Sequence, residues 1–212
     1  MNATLLEAEP VSIFRKPPSP EVDAAWRSIS RTEPIAISES ELLSLNMDPK
    51  RAVKWPESFG FGHDAYVARI DVFHQIHCLD ALRRESYFEH YYGTKYPGGY
   101  ETTSDLHKLH HSHCVYYLLQ NIMCNANLDV YTHFWTDAQD TAFPDFNINH
   151  KCRDFDTILD WQMQNGVETP IFEALRKPDE YGPAYVMLRK FKEVMRWYDT
   201  HEDDGSDGEE IG

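Results

Sequence analysis

Basic residues are scarce: 20 Lys and Arg stand against 35 Asp and Glu, a formal charge of −15. A chain this acidic lacks the cationic footprint that phosphate backbones need, which argues against nucleic acid as a partner and disfavours docking on anionic lipid. Long apolar runs are missing too. No stretch approaches the roughly 18–20 residues that cross a bilayer, and the N-terminal region lacks the basic and apolar parts of a signal peptide. Cysteine is sparse, four in 212 residues with no CxxC pair, which removes both a disulfide-built miniprotein and the usual zinc ribbon. The chain is 42% hydrophobic, enough for one real core, and its length favours one domain.

Against that background one pattern stands out. His-x-x-His-Cys occurs twice, as HQIHC at 74–78 and as HHSHC at 110–114. Two imidazoles three residues apart on a helix point the same way about one turn apart, so each copy reads as a bidentate metal clamp. A single copy is as well explained by two histidines that happen to share a face. Two copies, each followed by cysteine, point to metal.

The periodicity places both copies on helices. Residues 64–92 contain no glycine or proline, and Ile70, Phe73, His77 and Ala81 recur at helical spacing. GTKYPGG at 93–99 ends that helix. A second helix spans about 104–125 with Leu106, His110, His113, Tyr117 and Cys124 on one stripe, so the second clamp is expected to face inward. Upstream, Ser19-Pro20 opens a helix carrying Val22, Trp26 and Ile29, and Ser38 with Glu41 reads as a capping box. Residues 130–146 read as a loop able to close over a pocket. Further helices are expected at 153–164, ended by Gly166, and from Pro183 through Ala184, Leu188, Phe191, Met195 and Tyr198.

No alternation is strong enough to predict a sheet. The expected fold is mainly α: a compact helical domain with long irregular loops, two central helices carrying the HxxHC motifs, and disulfide staples. Residues 1–62 form an N-terminal packing arm with short helices, to which no chemistry is assigned. Residues 63–200 form the metal-binding domain, one unit together with the arm. Residues 201–212, acidic and free of aromatics, are expected to be disordered.

Four imidazoles without a nearby carboxylate, His74, His77, His110 and His113, suit copper or zinc rather than magnesium or calcium. The cysteines bear on the choice. Free thiolates would be ligands and favour zinc or a thiolate copper site, whereas disulfides would leave a nitrogen site suited to copper redox cycling. Disulfides among Cys78, Cys114, Cys124 and Cys152 are the expectation. Cys114 and Cys124 on one helix would stand about 15 Å apart, beyond the roughly 7 Å reach of a bridge. That leaves Cys78 with Cys114 and Cys124 with Cys152, or Cys78 with Cys124 and Cys114 with Cys152.

Among the other histidines, His150 is the best additional candidate ligand. His107 could extend the second clamp, His111 points about 100° away from it, and His90 suits a solvated helix end. His133 and Trp135, in YTHFW, are candidates for a substrate pocket. Tyr87, Tyr91, Tyr92, Tyr116 and Tyr117 are read as amphipathic packing.

Three blocks, FHQIHCLDALRR (73–84), HHSHCVYYLLQNIMCNANLD (110–129) and HKCRDFDTILDW (150–161), resemble the UstYa-like family of fungal oxidases of mycotoxin and peptide natural-product biosynthesis. The upstream segment 18–26 is similar too. The resemblance implies a copper-dependent oxidoreductase that functionalises C–H bonds of a fungal secondary metabolite by chlorination, hydroxylation or oxidative cyclisation. Carried over residue by residue, it makes His74, His77, His110 and His113 copper ligands, in one centre or two, and Cys78, Cys114, Cys124 and Cys152 the family's cysteines. The implied partners are a small-molecule or peptide substrate, dioxygen or peroxide, and for chlorination a halide. The family's N-terminal membrane anchor is not evident, so the expected compartment is a secretory lumen or vesicle if an anchor precedes the chain, and a soluble location otherwise. The sequon Asn2-Ala3-Thr4 is compatible with a lumenal life. The competing expectation is a non-catalytic zinc- or copper-stabilised protein that presents a pathway intermediate.

Overall fold

A computed structural model describes residues 5, 10–178 and 186–201. Helices dominate among them. α1 (Pro20–Ile29) starts where the sequence predicts: Ser19 accepts from the Val22 N–H, Pro20 takes the position where a missing N–H costs nothing, and Val22 and Trp26 are buried. β1 (Ile35–Ser38) runs directly into α2 (Glu39–Ser44) through the predicted capping box, in which the Glu41 N–H donates to the Ser38 hydroxyl and the Ser38 N–H donates to the Glu41 carboxylate.

β2 (Ala65–Ala68) then pairs antiparallel with β1, Ile35 opposite Ala68 and Ser38 opposite Ala65. Next come the long α3 (Asp71–Ser86), the short α4 (Phe88–Tyr92) and the longest helix, α5 (Asp105–Cys124). A hairpin of β3 (Thr132–Phe134) and β4 (Phe143–Asp145) precedes α6 (Phe155–Asn165), α7 (Thr169–Glu173) and α8 (Arg189–His201), the last packed on α5.

Two features correct the sequence expectation. Strands are present, in two antiparallel pairs, but each has only three or four residues, too short to register as alternation. The first pair also claims residues 65–68 from the predicted helix, because AYVA finds a partner in IAIS. The second pair gives the expected loop at 130–146 a hairpin, with Pro144 opposite His133 in a two-stranded ribbon that has edges for it. At the C-terminal side, Leu188 lies just before α8. Pro183, Ala184 and the acidic tail after His201 lie outside the described residues.

The core gathers around Trp55, buried with Ala65 and Val167 against Phe59, Phe61, Phe172 and Leu175. The chain ahead of α3 is thereby fastened to the segment that follows α6. Two hydrogen bonds tighten the same seam: the Val167 N–H donates to the Pro34 carbonyl at 2.7 Å, and the buried Gln162 amide donates to the Glu33 carbonyl at 2.8 Å. Phe73, 1% exposed, anchors α3 against Phe155 of α6. Truncating a ring buried to this degree typically costs about 3–5 kcal/mol, so the first clamp rides on a helix that cannot easily slide.

Candidate metal centre

α3 and α5 run antiparallel and are clipped at both ends by polar pairs. At one end the Tyr117 hydroxyl donates to the Asp71 carboxylate and the Gln75 amide donates to Asn121 at 3.2 Å. At the other, His107 Nε2 meets Glu85 Oε1 at 2.5 Å, both well buried. A third set braces the outer face of α3. Arg83 Nε donates to Asp80 at 2.7 Å, while its terminal nitrogens donate to Asp23 at 3.0 Å and to the Tyr91 hydroxyl at 2.7 Å. Asp23 belongs to α1, so this network holds α1 against the helix that carries the first motif.

Between the clips the histidines meet across helices. The His74 and His113 rings lie 5.6 Å apart and the His77 and His110 rings 5.4 Å apart, whereas His74 and His77, within one motif, stand 6.1 Å apart and nearly parallel. Antiparallel packing sets the first histidine of one motif beside the second histidine of the other. Pairing within each HxxH is thus replaced by pairing between the two. The inward orientation expected for the second motif holds only in part, because His110 is half-buried but His113 is exposed.

The thiols sit deeper. Cys78 and Cys114 are both fully buried; Cys78 Sγ is 3.8 Å from His74 Nε2, and Cys114 Sγ is 3.6 Å from His110 Nε2. A hydrogen bond from the Cys114 thiol, aided by His74, draws the Cys78 thiol down to about 4 in spite of its burial. The same contact with Cys78 raises His74 above the ordinary imidazole value. The donor atoms of His74, Cys78 and His113 all lie within 4.8 Å of one another. Two ligands bound at about 2.0–2.3 Å to one ion can stand no more than about 4.6 Å apart, so small side-chain shifts bring all three onto a single ion. A thiolate with two imidazoles suits copper or zinc.

All four cysteines are free thiols in the structure, so the expected staples are not part of it. Cys78 and Cys114 are in contact, as the first of the two open pairings requires, whereas Cys124 and Cys152 are exposed. The remaining candidates lie apart from the cluster. His150 Nδ1 meets Asp129 Oδ2 at 2.5 Å, and His111 Nδ1 lies 3.0 Å from the Tyr100 hydroxyl. His107 is taken up by Glu85, and His90 is exposed on α4. His133 and Trp135 are exposed on and just after β3, Trp135 to 77%.

What the sequence did not suggest is a cavity of about 650 Å³ that reaches His77 and His110. Its far wall is the end of α1 and the chain just beyond, including Arg27, Arg31 and Glu33; Asp80 and Arg84 of α3 complete it. Arg27 and Arg31, one helical turn apart in sequence, were the available signal.

The family model described as "Mycotoxin biosynthesis protein UstYa" matches residues 2–165. The chain belongs to the UstYa family. An UstYa family oxidase, aprY of Aspergillus flavus, is 38% identical over 190 residues, covering 88% of this chain and 56% of the relative. Two proteins of Talaromyces islandicus are also similar: one named a transacylase, cctO, at 28% identity (78% of this chain, 56% of the relative), and one named a chlorinase, cctP2, at 27% (80% and 49%). This UstYa-family chain therefore spans about half the length of these curated relatives. No solved structure matches it.

Proposed function

We propose that this chain carries the metal-binding core of a copper-dependent oxidoreductase that functionalises a C–H bond of a fungal secondary metabolite. The observation that carries the proposal is one cluster of chemistry: four imidazoles, His113 among them exposed, and two buried thiols gathered along the seam of α3 and α5, with His77 and His110 opening onto a cavity of about 650 Å³. His74, Cys78 and His113 supply a donor set fitted to a soft or borderline ion. Bound there, copper would supply the one-electron chemistry that activates dioxygen or peroxide. The protein does the rest. The depressed Cys78 thiol offers a thiolate without a proton to displace at neutral pH. Tyr117, 4.5 Å from the His74 ring and held by Asp71, fixes that imidazole's orientation. The cavity admits the substrate beside His77 and His110.

The names of relatives support an oxidative tailoring role and leave its outcome open among chlorination, hydroxylation and cyclisation, since one relative is named an oxidase, one a chlorinase and one a transacylase. The redox assignment rests on the donor set rather than on those names. Cys78 among the donors favours one second reading, a zinc- or copper-stabilised protein that binds a pathway intermediate without turning it over. Electron paramagnetic resonance of the stripped and copper-reloaded chain separates the two. A copper(II) signal that is lost on replacing all four histidines, and is perturbed by the pathway intermediate, supports the enzyme. A protein that leaves a copper soak empty, or one that takes up only zinc, sinks it.

A further inference from the structure

The cavity beside His77 and His110 carries an unbalanced positive charge. Three guanidinium groups line it, from Arg27, Arg31 and Arg84, against the two carboxylates of Glu33 and Asp80. Each carboxylate already holds an arginine, and the second Glu33 oxygen, which makes no hydrogen bond, is buried away from solvent. Glu33 Oε1 accepts from Arg31 at 2.6 Å, and Asp80 accepts from Arg84 at 3.1 Å and from Arg83, outside the cavity, at 2.7 Å. Arg27, in the last turn of α1, has no hydrogen bond or ion pair among the described residues. A cationic wall is not what solubility alone would produce in a chain of net charge −15. A planar guanidinium with uncommitted donors fits a carboxylate in bidentate fashion.

We propose, on the basis that His77 and His110 belong to the reaction centre described above, that the substrate bears a carboxylate and that Arg27 is its receptor. The anionic end is held at the α1 wall while the body of the molecule extends across the cavity toward the two imidazoles. Arg27 acts as a binding and positioning residue: it sets which carbon reaches the centre and takes no part in the chemical step. Arg31 and Arg84, tied to Glu33 and Asp80, hold those carboxylates away from the incoming one.

The test is a titration of the full, metal-free chain, labelled with ¹⁵N in its histidine rings, with 4-phenylbutyrate and with its neutral isostere 4-phenylbutyramide. The carboxylate is expected to shift the His77 and His110 ring signals saturably and to bind at least about tenfold more tightly than the amide, as a charge-assisted pair at a cavity wall implies. Added salt should narrow that gap. Arg27→Ala and Arg27→Gln should bring the carboxylate to the amide's affinity, and Arg27→Lys should retain part of the difference; the exposed position of Arg27 leaves the fold intact in all three. Equal binding of acid and amide, undiminished binding in Arg27→Ala, or no saturable shift from either probe overturns the proposal. Because no metal is present, failure to take up copper leaves this readout untouched, so the two proposals fail separately.

Discussion

His77 and His110 come from different HxxHC motifs, yet their rings lie 5.4 Å apart, closer than His74 and His77 within one motif at 6.1 Å. On the proposed copper reading the unit that holds the metal would be a pair bridging α3 and α5, so substitutions should group by pair rather than by motif. His77→Ala and His110→Ala are expected to give matching changes in copper stoichiometry and paramagnetic spectrum, and His74→Ala and His113→Ala a second matching set. Metal analysis with paramagnetic resonance on the four variants checks this. Grouping of His74→Ala with His77→Ala instead would restore the clamp within a single helix.

Arg83 joins Asp80, Asp23 and Tyr91 and lies over the Trp26 ring at 5.3 Å. Removing it leaves Asp80 with Arg84 and Asp23 with the Tyr91 hydroxyl as their remaining partners, in surroundings largely screened from water. Arg83→Ala should destabilise the protein by roughly 2–4 kcal/mol in urea unfolding, with a smaller loss for Tyr91→Phe. A change under about 0.5 kcal/mol would mean that α1 is held to α3 by apolar packing alone.

Asp23 gives that network a pH signature. Burial pushes its carboxyl upward, but hydrogen bonds from Tyr91 and Arg83 outweigh that and hold it below the usual 3.8. With the folded-state value depressed, its contribution to stability is full above the unfolded value and disappears as pH falls through the lower, folded one. Unfolding free energy measured from pH 5 downward should therefore fall more steeply for the wild type than for Asp23→Asn. Parallel curves would remove Asp23 from the acid response.

The thiols should divide into two classes. Iodoacetamide applied to the folded protein is expected to modify the exposed Cys124 and Cys152 and to spare the fully buried Cys78 and Cys114, burial overriding the nucleophilic advantage of the Cys78 thiolate. Peptide mapping reads the result. Unfolding without reductant should then expose Cys78 and Cys114 to the reagent; if they stay unreactive until reductant is added, they are joined by a disulfide.

Local signals were legible in the sequence and hold in the structure. Ser19 caps α1 and Ser38 forms a box with Glu41 because capping needs only neighbours within four residues. Family membership was readable from three blocks for the same reason, since motif spacing is a property of the chain. The strands were not legible: Ile35–Ser38 becomes a strand only because Ala65–Ala68 lies beside it.

The chain alone determined that it is mainly helical, acidic, and supplied with two HxxHC sets, since composition and periodicity are one-dimensional. Tertiary structure alone decided which histidines meet, that His113 stays exposed while Cys78 and Cys114 touch, and that the end of α1 brings arginines to the cavity wall. Each of these is a distance between residues remote along the chain. Such distances follow from the antiparallel packing of α3 on α5 and the Arg83 network beneath it, neither of which leaves a periodic trace in the sequence.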